Sequence, residues 1–356
     1  MRNIIRTSRR GLLAGAWGTA SLGLLGGFKW PWSEGGRSSE GPSSGVKKPF
    51  RFLSPDSVWN LPVGRGARFA SASDVATQQI RALDGGLDLA ENAWTVALWH
   101  ARESDPMQTV VVSAGSRGKN DRIRIQIPAD AVASPPPYRP GESDSHMSVV
   151  SPDGKLIHEF IAARKVGERT WGAGCYVPMA IDGSGIGHME GFEIADFRID
   201  GMLGFGSTRA YGGSSTAGLI VSGELEQGIE HMLAFAAHID VLTSPWVWPA
   251  SRDDWHSNYP NNGGSAKVSL GMMFAIAPDV DLQAMELGRR EYHVLRAIQT
   301  HGLMVVDRGG RNWSVYMDYN ARDEARGFDV DAISRVMSRH LVRITNITPA
   351  TPKGGG

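Results

Sequence analysis

The chain has 356 residues, with 37 basic and 37 acidic side chains, 44 glycines, 19 prolines and one cysteine. Balanced charge with no block of one sign excludes the basic face that a nucleic-acid partner needs. A lone cysteine excludes an internal disulfide, so stability must come from burying a core, which a chain of this length can do in one or two domains.

Residues 1–30 read as a targeting segment. Arg2 and Arg6 precede Thr7-Ser8-Arg9-Arg10-Gly11-Leu12-Leu13, and no charge occurs from Gly11 to Phe28. This pattern resembles the twin-arginine export signal, in which Ser-Arg-Arg precedes two apolar residues. The resemblance implies that the twin-arginine translocase delivers an already folded protein to the periplasm or beyond. The apolar stretch is marginal as a spanning helix. No small-x-small cleavage site follows it, so an uncleaved N-terminus is the one membrane attachment left open. Residues 31–48, rich in Ser, Gly and Glu, read as a flexible linker. A single β-rich domain is expected over 49–347, followed by a disordered tail over 348–356.

Within the domain, Ser73 is placed to cap a helix reaching about Leu83. Strands are expected over Trp94–Trp99 and Thr109–Val112. The strict alternation of Arg122-Ile-Arg-Ile-Gln-Ile127 predicts a half-buried strand. Ser145–Val150 and Lys155–Ala162 flank Ser151-Pro-Asp-Gly154, a hairpin turn. Glu224–Ala237 sets Leu225, Ile229, Met232, Leu233 and Ala236 on one helical face. A long helix is expected over Leu282–Thr300, stopped by Gly302. Leu303–Asp307 and Trp313–Met317 flank Arg308-Gly-Gly-Arg311 and read as a second hairpin. A last helix covers Val330–His340. Many short strands with frequent Gly and Pro predict a mainly β fold, a β-sandwich or jelly roll with several added α-helices, with α+β as the alternative.

Three segments concentrate chemistry. The first is Asp144-Ser-His146-Met-Ser148 with His158-Glu159. A type I turn with a Gly bulge would put His146 and His158 on one face; a two-residue loop would set His146 opposite Glu159 and turn His158 away. The groups fit a general base held by a carboxylate, or part of a metal site. The second is the Gly- and hydroxyl-rich run 204–218, with Arg209 and Tyr211. An Arg that neutralises a carboxylate beside a base is what β-elimination of a uronic acid requires, because the C5 proton becomes acidic only then. The third is 244–260, where Trp246, Trp248, Trp255 and Tyr259 mix with Arg252, Asp253 and Asp254. Indoles suit stacking on sugar rings. Cys175, between apolar neighbours, reads as a buried structural thiol.

The opening Ser54-Pro-Asp-Ser-Val-Trp-Asn60 resembles the start of a family of secreted bacterial proteins to which no activity is assigned. The likeness extends to Asp144-x-His146 and to Ser215-Thr-Ala-Gly218 through His231, and it implies no function. The domain is also loosely similar to jelly-roll enzymes that act on polysaccharides.

These features point to a secreted or envelope-associated carbohydrate-active enzyme, a polysaccharide lyase acting on a uronic-acid glycan. The alternatives are a glycoside hydrolase on the same fold and a non-catalytic glycan-binding protein. The expected catalytic residues are His146, Arg209 and Tyr211, with Glu159 and Asp144 as the carboxyls of a hydrolase. Trp248, Trp255, Asp253, Tyr259 and His158 are the expected sugar contacts. The partners are a polysaccharide or oligosaccharide and the translocase. No cofactor is expected; a divalent metal, if used, would take Asp144, His146 and His158.

Overall fold

The computed structural model describes residues 50–90, 94–113, 120–134, 143–187, 207–253 and 265–355. All of them belong to one unit, Lys47–Gly356. The targeting segment, the linker, Trp255 and Tyr259 lie outside the described residues.

In chain order the elements are α1 (Val75–Arg81), β1 (Leu87–Ala90), β2 (Val96–His100), β3 (Met107–Ser113), β4 (Asn120–Gln126), β5 (His146–Val150), β6 (Leu156–Ile161), β7 (Arg164–Gly167), β8 (Thr170–Ala173), β9 (Cys175–Ala180), α2 (Glu224–Gln227), β10 (Leu233–His238), β11 (Met273–Ile276), α3 (Arg289–Thr300), β12 (Leu303–Gly309), β13 (Trp313–Tyr316), α4 (Val330–His340) and β14 (Leu341–Arg343). The fold is mainly β with a few helices, consistent with a β-sandwich with added helices. The strands form a six-stranded sheet, β1-β13-β10-β12-β11-β14, and two four-stranded sheets, β2-β5-β6-β9 and β4-β3-β8-β7.

The middle of the molecule follows from the period of a strand. Successive side chains on β5 and β6 point to opposite faces. Met147, Val149 and Phe160 face the sheet of β3 and β8 and bury against Val110, Val112 and Trp171. Val150 and Ile157 turn the other way and join the main core, which includes Phe235, Phe274, Val305 and Val315. That second face also carries His146, Ser148 and Glu159.

Several elements differ from expectation. Asp74, not Ser73, caps α1, accepting from the Thr77 N–H at 3.0 Å. The helix expected over Glu224–Ala237 stops at Gln227, where Gly228 adopts φ 107°. Leu233–His238 is instead a strand in the six-stranded sheet. An apolar run buried on both faces satisfies helical and strand patterns alike, and here the sheet takes it. β12 and β13 do not form a hairpin: β10 lies between them, parallel to β12 and antiparallel to β13. The long helix starts at Arg289 rather than Leu282 and ends before Gly302, at φ 91°. α4 covers the expected residues.

The expected disordered tail is described through Gly355 and is packed. Gly64 N–H donates to Lys353 O at 2.9 Å, and Gly66 N–H to Gly355 O at 3.0 Å. The Lys353 ammonium is buried and donates to Met232 Sδ at 3.0 Å and to the His301 carbonyl. Burial pushes it down to about 7 from an ordinary 10.5. The unfolded chain therefore binds more protons than the folded one between those two values, so stability rises as pH climbs through that window and is flat below it. Urea denaturation at pH 7 and near pH 9.5 should show the native chain gaining about 1–3 kcal/mol relative to Lys353→Met. Equal pH dependence of the two proteins would contradict this role for Lys353.

Candidate functional site

A buried carboxylate organises the site. Glu159, on β6 opposite Ser148 on β5, is fully buried. It accepts from Ser214 Oγ at 2.5 Å, Ser215 N–H at 3.0 Å, Thr216 N–H at 3.1 Å, Thr216 Oγ1 at 3.0 Å and Thr208 Oγ1 at 3.2 Å. These donors surround the carboxylate on both oxygens. It is thus a structural anchor for the segment 207–216, and not one of a pair of hydrolytic carboxyls.

Other contacts fix the same segment. The Arg252 guanidinium donates to the carbonyls of Arg209 at 2.8 Å, Ser207 at 3.2 Å and Ala210 at 3.3 Å. Gly212 turns at φ 87°, where a Cβ would lie 2.2 Å from Ser251 Oγ, so only glycine fits. The Tyr211 hydroxyl donates within hydrogen-bond range of Gly185 O, 3.1 Å, and Ser214 O, 3.0 Å. Burial pushes this phenol well above its ordinary value. Tyr211 is a loop anchor and does not line the cavity described next.

Between the segment and the six-stranded sheet lies a cavity of about 700 Å³. A row across four strands forms one wall: Asp88 on β1 pairs with Ser314 on β13, Ser314 with Ala236 on β10, and Ala236 with Asp307 on β12. All four residues line the cavity. The row depends on a bulge. Phe235 pairs with Val305 and the next residue, Ala236, with Asp307, so Val306 is an extra residue that re-aims Asp307. The Val306 carbonyl accepts from Tyr211 N–H at 3.0 Å, tying the bulge to the segment above.

Arg209, Tyr316 and His146 converge on this cavity. The Arg209 side chain is 2% exposed, and its Nη1 lies 3.8 Å from Asp307 Oδ2. Its guanidinium carbon sits 3.9 Å from the centroid of the Tyr316 ring, a cation–π contact. Burial disfavours the charge on Arg209, but Tyr316, Asp307 and Asp144 outweigh it and hold its pKa above the ordinary value. Burial likewise raises the Tyr316 phenol, which stays protonated. His146 Nε2 is 3.5 Å from Asp144 Oδ2, and its buried Nδ1 has no hydrogen-bond partner. Burial lowers the imidazole pKa against the opposing pull of Asp144. It is a neutral base at neutral pH. The Asp144 carboxyl, raised by burial, is brought below its ordinary value by His146, Arg209 and Arg308. Asp88 moves the other way, raised by desolvation against Asn312 and Ser314.

The hairpin register is neither of the two expected. Ser148 pairs with Glu159 and Val149 with His158, because the connection runs from Ser151 to Leu156, with Ser151 N–H donating to Leu156 O at 2.9 Å. His158 therefore shares a face with Met147 and Phe160, opposite to His146. Its Nδ1 lies 2.9 Å from the Tyr176 hydroxyl, and burial lowers its pKa to about 4. Asp144, His146 and His158 cannot share one metal ion. Among the described residues, no group of three His, Cys, Asp or Glu side chains could hold one.

Of the expected sugar contacts, Trp255 and Tyr259 lie outside the described residues, and Trp248, Asp253 and His158 do not line the cavity. Asp253 is buried and accepts from Ser244 Oγ at 2.5 Å. Trp248 is half-buried against the main core. Neither lines the cavity, although Arg252 does. Cys175 is buried, and burial pushes its thiol up to about 11. Tyr316, Asp88, Arg308 and Trp94 line the cavity without any local signal in the sequence. Asp307 carried only its place beside a turn.

No known protein family, curated protein or solved structure matches the chain.

The two anchors predict losses of stability. Glu159→Gln places an amide against the donors and should cost about 2–4 kcal/mol in urea denaturation. Tyr211→Phe should cost about 1 kcal/mol. A Glu159→Gln protein as stable as the native one would contradict the anchoring role.

Proposed function

We propose that the cavity is the active site of a carbohydrate-active enzyme that cleaves a uronic-acid glycan by β-elimination. The observation that carries this reading is the convergence of His146, Arg209 and Tyr316 on one cavity. Elimination needs a neutralised carboxylate, a base and an acid. Arg209, buried and permanently charged, pairs with the sugar carboxylate and makes the C5 proton acidic. His146 takes that proton. Asp144 Oδ2, 3.5 Å from Nε2, orients the ring. The C5–H electron pair forms the C4–C5 double bond, the C4–O bond breaks, and the Tyr316 phenol protonates the departing oxygen. Tyr316 takes the role expected of Tyr211. The twin-arginine pattern supports delivery of the folded domain to the periplasm or beyond, and no described helix is long and apolar enough to cross a membrane.

One observation favours glycoside hydrolysis as a second reading. Asp88 and Asp144 line one cavity with pKa values pushed in opposite directions, which is how an acid and a base are told apart. The products separate the two. Elimination yields an unsaturated sugar that absorbs in the ultraviolet; hydrolysis yields new reducing ends without it.

With alginate, glucuronan, pectate and glycosaminoglycans as substrates, absorbance should rise with one of them. His146→Ala and Tyr316→Phe should each lower kcat by about 10²–10⁴. Silence across the panel, or full activity in both variants, overturns the reading. The pH dependence is a separate check. The imidazole must be neutral, and its pKa lies below the ordinary 6.5. The phenol must be protonated, and its pKa lies above the ordinary 10.0. The rate should therefore form a plateau across neutral pH, with its acid limb below pH 6.5. An acid limb above pH 7 would exclude His146 as the base.

A further inference from the structure

The two ends of the cavity differ in chemistry. At one end the Arg209 guanidinium sits 3.8 Å from Asp307 and 3.9 Å from the centroid of the Tyr316 ring. Ser314 lies two residues before Tyr316 on β13, on the same face and about 7 Å along the strand. Asp88 pairs with Ser314 and Ala90 with Tyr316, so Asp88 stands one strand further out, about 5 Å across the sheet. The chain leaves β1 beside Tyr316, and Trp94, past the end of that strand, lines the same cavity and is 46% exposed. Asn312 lines it too. What acts on the Asp88 carboxyl is desolvation, together with hydrogen bonds to the neutral Asn312 and Ser314 side chains. Arg308 also lines the cavity, but its charge acts on Asp144 at the other end. A carboxylate has about four acceptor sites, so two partners leave room for sugar hydroxyls. An indole face with a carboxyl and an amide suits a neutral pyranose. A sugar carboxylate placed here would instead meet another carboxyl.

We propose that Asp88, Asn312 and Trp94 form a subsite for the leaving sugar, and that this sugar is neutral. The inference rests on the elimination reading, in which Tyr316 protonates the departing oxygen. That oxygen belongs to the sugar linked at C4 of the uronic acid, so the leaving sugar lies beyond Tyr316, towards Ser314 and Asp88. Trp94 stacks on its ring, and Asp88 and Asn312 bind its hydroxyls. The substrate class is therefore a glycan in which uronic acid alternates with a neutral sugar, rather than a run of uronic acids.

The test uses matched pairs of ligands that share a uronic acid and differ in its neighbour. Tetrasaccharides of hyaluronan and of glucuronan both carry glucuronate; those of rhamnogalacturonan and of pectate both carry galacturonate. Each is titrated calorimetrically, beside the monomeric acids, into the full chain carrying His146→Gln, which prevents turnover. Steady-state KM values in the native background supply the same comparison if that variant does not fold. In one pair, the alternating tetrasaccharide should bind about tenfold more tightly than its all-uronate counterpart. Trp94→Ala should weaken it about tenfold and Asp88→Ala about fivefold, the range that one stacked ring or one set of hydrogen bonds allows. Both losses should grow from monomer to tetrasaccharide. Asp88→Lys, which puts a cation at this end, should strengthen all-uronate binding about threefold. All-uronate ligands binding as tightly as the alternating ones in both pairs, or alternating ligands unaffected by Trp94→Ala and Asp88→Ala, overturns the subsite. Its failure is distinguishable from that of elimination. Unsaturated product formed as fast from glucuronan or pectate as from the alternating partner leaves elimination standing and removes the subsite. Alternating-ligand binding that depends on Trp94 and Asp88, without unsaturated product, keeps the subsite and removes elimination. No binding and no product from either pair overturns both.

Discussion

The site depends on one buried carboxylate. Glu159 sits on a central strand with no exposed surface, where a polar group persists only if donors replace its water. The donors come from Thr208, Ser214, Ser215 and Thr216, a stretch with no regular secondary structure of its own. The segment is thereby drawn onto the face of β5 and β6 that carries His146. Arg209, between the first donor and the rest, is held where it can stack on Tyr316 from a different sheet. Arg252 completes the clamp by taking three carbonyls of the same stretch.

This arrangement separates residues that hold the site from residues that face its contents. Glu159, Tyr211 and Arg252 are polar, buried and rich in hydrogen bonds, and a reading based on residue type alone treats the first two as catalysts. Their partners show otherwise: each is spent on protein atoms. His146 differs, since Nδ1 has no partner, and a buried polar atom left unsatisfied needs a reason. A neutral imidazole, a protonated phenol and a desolvated guanidinium line one cavity, and such a perturbed cluster is what supports the proposed enzymatic reading over a binding surface alone.

Local pattern carried much of the fold. Alternation marks β4, the stop at Gly302 marks the end of α3, and α4 covers the residues expected of it although β14 follows it directly. The mainly β class follows from composition and strand spacing. The Leu233–His238 strand was not legible, because a continuous apolar run fits a buried helix and a buried central strand equally well. Once it becomes the strand between β12 and β13, the expected hairpin of those two strands is lost as well. The site was half legible. His146, Asp144 and Arg209 stand out by type and spacing. Tyr316, Asp88 and Asp307 do not, because they meet only through cross-strand registers set by a bulge at Val306, and no short-range signal encodes that row. The bulged-turn register puts His158 on the face of His146, one residue away from the register found, which is enough to turn a side chain to the opposite face; the alternative register turns it away from His146, as the structure does.

The central claim is that Glu159 locks 207–216 into the folded core as tightly as a strand. Amide hydrogen exchange of Ser215 and Thr216, whose N–H groups donate to the carboxylate, tests it most directly. The account predicts that both amides exchange only with global unfolding, at the rate of β5 and β6 amides and with the same denaturant dependence. Exchange of these two amides by local opening, orders of magnitude faster than the strands beneath them, would contradict it.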